Sequence, residues 1–77
     1  MAEAKDEIIV FVTASSEEEA VKIGRKLVEV GLAACVNVFP RVRSIFRWEG
    51  AVSDEQESMM ILKSRASLFD ELVTMVK

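Results

Sequence analysis

Apolar and polar positions along this chain fall into blocks whose spacing predicts its elements. The first block, Glu7 to Thr13, is rich in β-branched residues and apolar at both odd and even positions. That pattern predicts a strand covered on both faces, and so one placed centrally in its sheet. Beyond Ser15 and Ser16 the period changes: Ala20, Ile23, Gly24, Leu27 and Val28 recur at helical spacing. Ser16 with Glu19 makes a Ser-x-x-Glu capping box, worth about 1 kcal/mol at the cap. Glu17, Glu18 and Glu19 stand where the helix dipole favours negative charge, so the run reads as a helix start and not as a metal site. Gly31 is placed to end the helix as its left-handed C′ residue.

The next blocks, Ala33 to Phe39 and Val42 to Trp48, predict a pair of strands joined by a tight turn at Pro40 and Arg41, where proline cannot join a ladder. Gly50 breaks the second of them. Ala51 to Glu55 reads as a polar connection, and Glu57 to Lys63 as a further strand. Met60 and Leu62 share one face of that strand, with Met59, Ile61 and Lys63 on the other. A second helix is expected from near Ala66, with Leu68, Phe69, Leu72, Val73, Met75 and Val76 as its broad apolar stripe. The order is read as β-α-β-β-α in one α+β domain over residues 1–77, with residues 1–6 a frayed start. This is the ferredoxin-like, split β-α-β pattern with its last strand missing. A second helix so apolar needs a sheet beneath it, in which the strand expected after Lys77 would sit.

Composition narrows the possibilities. A chain of 77 residues, 51% of them hydrophobic, is small enough to lean on disulfides, metals or partner subunits. A single cysteine excludes an internal disulfide, and with no histidine a closed Cys/His zinc site is not available within one chain. Oligomerisation is the support left open. Ten basic against thirteen acidic residues give a net charge of −3, which argues against nucleic acid and anionic membranes as partners. Arg41, Arg43 and Arg47 form a short basic run, read as a solvated strand face. The start, Met-Ala-Glu-Ala-Lys-Asp-Glu, has neither the basic nor the apolar region of a signal peptide, and no apolar run is long enough to span a bilayer. The expected location is the cytoplasm, which suits an unpaired cysteine.

Several stretches carry a resemblance. Val12 to Ala20 (Val-Thr-Ala-Ser-Ser-Glu-Glu-Glu-Ala), Leu27 to Pro40 (ending Leu-Ala-Ala-Cys-Val-Asn-Val-Phe-Pro), Ser44 to Gly50 (Ser-Ile-Phe-Arg-Trp-Glu-Gly) and Met60 to Arg65 (Met-Ile-Leu-Lys-Ser-Arg) resemble the CutA divalent-cation tolerance family, from about Ile8 to Lys77 without a gap. The resemblance implies a ferredoxin-like subunit in a compact, stable homotrimer similar in architecture to the P-II signalling proteins, with strands of neighbouring subunits paired at their edges. It implies a role in tolerance of copper and other divalent cations, and no enzymatic activity. Two parts of the family pattern are unmatched: the cysteine that some members carry before the Thr-Ala is Val12 here, and the family's His-Pro-Tyr-Glu segment falls beyond Lys77. Those groups are the proposed copper ligands of the family. Copper favours thiolate and imidazole, and of these the chain offers only Cys35.

Candidate site residues follow. Cys35 reads as a small core residue, or as a soft metal ligand at a cleft where threefold symmetry supplies the other donors. Asn37, on the same strand face, needs an inter-subunit hydrogen bond or a ligand for its amide. Trp48, with a large apolar body and one N–H, suits an interface. Glu49 is a partner for an arginine or an oxygen ligand, and Lys63 is expected to be buried or ion-paired. Met59 and Met60 face opposite sides and make no joint thioether site. An alternative function is a P-II-like module binding a small anion or a protein through Arg43 and Arg47 in a cleft between subunits. No Ser–His–Asp or Cys–His set is present and the three glycines lie far apart, so no catalytic residue is assigned. No cofactor is expected, apart from copper or another divalent cation.

Overall fold

The computed structural model describes residues 6–76; of the expected frayed start, residues 1–5 lie outside the described residues. Five elements and one short 3-10 turn follow in the order β1 (Glu7–Ala14), α1 (Glu17–Glu29), β2 (Cys35–Trp48), β3 (Ala51–Arg65), the turn Ala66–Leu68, and α2 (Phe69–Val76). The strands form one antiparallel sheet in the order β1-β3-β2. This is the α+β, ferredoxin-like arrangement expected from the order of elements.

The local signals around α1 act as the sequence reads. Ser16 has extended backbone and its Oγ accepts the Glu19 N–H at 3.1 Å. The return half of the capping box is displaced by one residue: the Glu19 carboxylate accepts from the backbone N–H of Ser15 at 3.0 Å and from its hydroxyl at 2.9 Å. At the other end Gly31 has φ +80°. Leu32 N–H bonds to Leu27 O at 2.9 Å and Gly31 N–H to Val28 O at 3.1 Å, which is the Schellman pairing.

Two expectations about the sheet are corrected. β1 is not central: among the described strands it lies at one edge, and β3 is the strand paired on both sides. Ser58, Met60, Leu62 and Ser64 of β3 are buried on the helix side, where Ala14, Ala20, Leu27, Leu32, Ala33 and Leu72 close the core around Met60 and Leu62. The apolar residues of β1 that alternate outward, Ile9 and Phe11, are 60% and 65% exposed. Among the described strands, apolar content on both faces therefore marks an outer strand whose second face is uncovered.

The turn at Pro40 and Arg41 does not exist either. Cys35–Trp48 is one strand, and Ala51–Arg65, including the stretch read as a polar connection, is its continuous partner. Three short strand segments are thus two long ones, which agrees with the β-α-β-β-α order. The chain reverses at Glu49 and Gly50, whose φ values of 50° and 81° suit a two-residue hairpin loop between the paired Trp48 and Ala51. At Pro40 and Arg41 there is a bulge: Phe39 pairs Met59 and Val42 pairs Glu57, so two residues of β2 oppose Ser58 alone. Proline is accepted there because β2 is an outer strand in this sheet and the missing N–H falls at an interrupted ladder.

Candidate functional site

The candidate residues are distributed over one sheet face and one hairpin arm. Strand alternation sends Val36 and Val38 of β2 toward α1, and Cys35, Asn37 and Phe39 to the face that no helix covers. Register builds this face in rows: Ile9, Lys63 and Cys35; then Phe11, Ile61 and Asn37; then Thr13, Met59 and Phe39. Across the bulge the parity of β2 changes. Because Val42 pairs Glu57, Ser44 pairs Glu55, Phe46 pairs Ser53 and Trp48 pairs Ala51, the even positions now share this face. The surface that begins at Ile9 and Cys35 therefore continues along the arm to Phe46 and Trp48. Without the one-residue change of phase at the bulge these aromatics would have faced the opposite side.

Cys35 is a free thiol, half-buried on this face; it is not the small core residue that its type suggests, because strand alternation turns it away from the helices. Its Sγ lies 3.9 Å from Asn37 Oδ1, a long contact between two side chains of one strand. Asn37 is exposed, as are Glu49 and Lys63. Lys63, opposite Cys35 in the ladder, has no ion pair among the described residues and is not buried, in contrast to the expectation. Trp48 is 63% exposed near the tip of the arm.

Arg43 and Arg47 share one side of the arm, and among the described residues only Arg43 is ion-paired. After the bulge both lie on the opposite side of the arm, and Arg43 is engaged: Nε donates to Asp54 Oδ1 at 2.8 Å and an Nη group donates to Oδ2 at 2.9 Å. The Asp54 carboxylate holds the Arg43 guanidinium above its ordinary pKa. This two-toothed, charge-assisted pair links β2 to β3 across the arm. Asp54 was not singled out from the sequence; the diagonal placement of position 43 against position 54 follows only from the register.

Among the described residues a copper or other divalent-cation site does not close. No group of three or more Asp, Glu, Cys or His side chains able to hold a metal ion occurs among the described residues. Cys35 supplies one soft donor and Asn37 one carbonyl oxygen nearby. Among the described residues, no helix is long and apolar enough to cross a membrane.

An antiparallel sheet with both helices on one side, an uncovered apolar face on the other and a long two-stranded arm defines a ferredoxin-like α+β protein. The chain belongs to the family described as CutA1 divalent ion tolerance protein, which it matches over residues 8–77. It is 44% identical over 71 residues to the divalent-cation tolerance protein CutA of Thermus thermophilus, covering 92% of this chain and 69% of that protein. With the protein of the same name from Archaeoglobus fulgidus it shares 46% identity over 68 residues, 88% of this chain and 66% of that protein. The crystal structure of CutA1 from Oryza sativa superposes with a TM-score of 0.89 at 38% identity, covering 94% of this chain and 66% of that one. The chain spans 36% of the length of the chloroplastic CutA protein of Arabidopsis thaliana, to which it is 40% identical over 65 residues.

Proposed function

We propose that this protein acts in divalent-cation tolerance, copper included, as a homotrimer that binds and does not catalyse. Family membership supports the tolerance role, since relatives such as those of Thermus thermophilus and Archaeoglobus fulgidus carry it in their names. The single observation behind assembly is the uncovered sheet face, where Ile9 and Phe11 are 60% and 65% exposed and Phe39 is 45% exposed. A contiguous apolar surface of this kind marks an interaction site. Copies packed through this face would bring several Cys35 thiols and Asn37 amides to shared clefts, and there the metal contact is proposed. An unpaired cysteine suits the reducing cytoplasm, where we place the protein.

Two measurements test this reading. Sedimentation equilibrium is expected to return three times the chain mass; a monomer at all concentrations would overturn the trimer. Titration with Cu(I) and Cu(II) of the native chain and of Cys35→Ala is expected to show binding that the substitution removes. Equal, negligible binding by both would end the Cys35 reading.

A further inference from the structure

The end of the sheet where β1 starts holds a cavity of about 760 Å³, well away from the arm and within the size range of small-molecule sites. It exists because the strands end unevenly. β2 begins at Cys35, opposite Lys63, whereas β1 pairs with β3 two residues further, as far as Arg65. The last residues of β3 therefore have a strand neighbour on one side only, and residues 31–34 line the place where β2 would have continued. Hydrogen bonds fix the surrounding chain. Ala34 N–H donates to Lys63 O at 2.8 Å, and the buried Ser64 hydroxyl donates to Leu32 O at 2.6 Å. Just beyond Arg65, Ala66 N–H donates to Asp6 O at 2.7 Å. A cavity held in this way needs little ordering when a ligand enters.

Its lining is of two kinds. Ile8, Leu32, Ala33 and Leu68 give it an apolar wall, each of them buried or half-buried. Lys63 and Arg65 line it too; two apart on β3, they share one side of the strand at a spacing of about 7 Å. Both are exposed, and among the described residues neither is ion-paired. Glu7, opposite Arg65 in the ladder, is the one acid of the lining. Two cations against one carboxylate leave a single positive charge there, in a chain whose net charge is −3.

We propose that this cavity binds a small organic monocarboxylate, its apolar body against Ile8, Leu32 and Leu68 and its carboxylate between Lys63 and Arg65. One negative charge matches the single positive excess, whereas a dianion such as a phosphate ester would leave a charge uncompensated. The planar fork of Arg65 suits a carboxylate, to which it offers two parallel N–H bonds, and Lys63 adds a compact charge. The apolar wall asks for a hydrocarbon body, because an acid without one would leave that wall wet. The site uses neither the Cys35 thiol nor the Asn37 amide. It therefore goes beyond the metal contact proposed above and stands or falls apart from it.

The test is isothermal titration calorimetry of the full chain with sodium hexanoate, with hexanamide and acetate as probes that lack the charge and the body respectively. Hexanoate is expected to bind, and each of the other two at least about tenfold more weakly. Lys63→Met is expected to weaken hexanoate about tenfold. Ala34→Phe, which fills the cavity from an exposed position held only through its backbone N–H, is expected to remove binding. Far-ultraviolet circular dichroism should be unchanged in both. In the native chain, amide NMR shifts caused by hexanoate are expected at residues 31–34 and 63–68. Absence of hexanoate binding, equal binding of hexanamide, or shifts confined to other parts of the chain would each overturn the site. Equal binding of acetate would overturn the part given to the apolar wall, and an unchanged affinity in Lys63→Met the part given to Lys63.

Discussion

The hydroxyl of Ser58, a residue only 1% exposed on β3, donates a 2.8 Å hydrogen bond to the carbonyl of Pro40 on β2. Ser58 is the single residue that opposes the two-residue bulge, so this bond occupies the place where the ladder is interrupted. Replacing Ser58 with Ala leaves the Pro40 carbonyl without its partner and is expected to cost about 1–2 kcal/mol. Urea unfolding checks it: the midpoint should fall with little change in slope. An unchanged midpoint would mean that the bulge holds its phase without the bond.

At Gly24, α1 packs closely against Val36 of β2. A Cβ built there would stand 2.9 Å from Val36 Cγ1 and 3.9 Å from the Met60 sulfur. Ala is the better helix former by about 1 kcal/mol, and overpacking typically costs about 1–3 kcal/mol. The clash is expected to win, so Gly24→Ala should lower stability by about 1 kcal/mol, and Val36→Ala introduced with it should recover part of the loss. Stabilisation by the single change would show that the close approach is not needed.

Glu19 gives the fold a dependence on acid. The backbone N–H of Ser15, and then its hydroxyl, hold the Glu19 carboxyl below its ordinary pKa. A carboxyl with a folded-state pKa below its unfolded one stabilises the fold above the unfolded value. That contribution is lost as pH falls through the folded value. Unfolding curves from neutral pH down through the carboxylate range should therefore show a shallower acid decline for Glu19→Gln than for the native chain. Parallel declines would remove Glu19 from the account.

The Arg43–Asp54 pair is exposed on both sides, with side chains 75% and 42% accessible. Surface pairs of this kind are weak and screened by salt. Its coupling in a double-mutant cycle with Arg43→Ala and Asp54→Ala is expected to be small and to shrink between low and high salt. A large, salt-independent coupling would assign the arm a dependence on this pair that its exposure does not suggest.

On the uncovered sheet face, Phe11→Ser is expected to weaken self-association while leaving α1 and the core in place, because Phe11 is 65% exposed and lies outside the buried cluster. Sedimentation and far-ultraviolet circular dichroism read the two effects separately. Unaltered association would move the interface away from this face.

The sequence by itself determined what is local. Ser16, Glu19 and Gly31 set where α1 begins and ends, because caps and a left-handed residue act within about one turn. The alternation of Met60 and Leu62 against Met59, Ile61 and Lys63 gave one face of β3 to the core, and the stretches around Cys35 and Trp48 were enough to name the family. Tertiary structure alone decided what depends on distant partners. Pro40 looks like a turn in any local reading; it stays inside a strand at a bulge opposite Ser58, eighteen residues away, whose hydroxyl donates to its carbonyl. The bulge at that point then decides which side of the arm Phe46, Trp48, Ile45 and Arg47 occupy, and whether Arg43 is free or held by Asp54. Strand order is of the same kind: the apolar residues of Glu7–Ala14 suit burial on both faces, while only pairing says that one of those faces stays uncovered among the described residues.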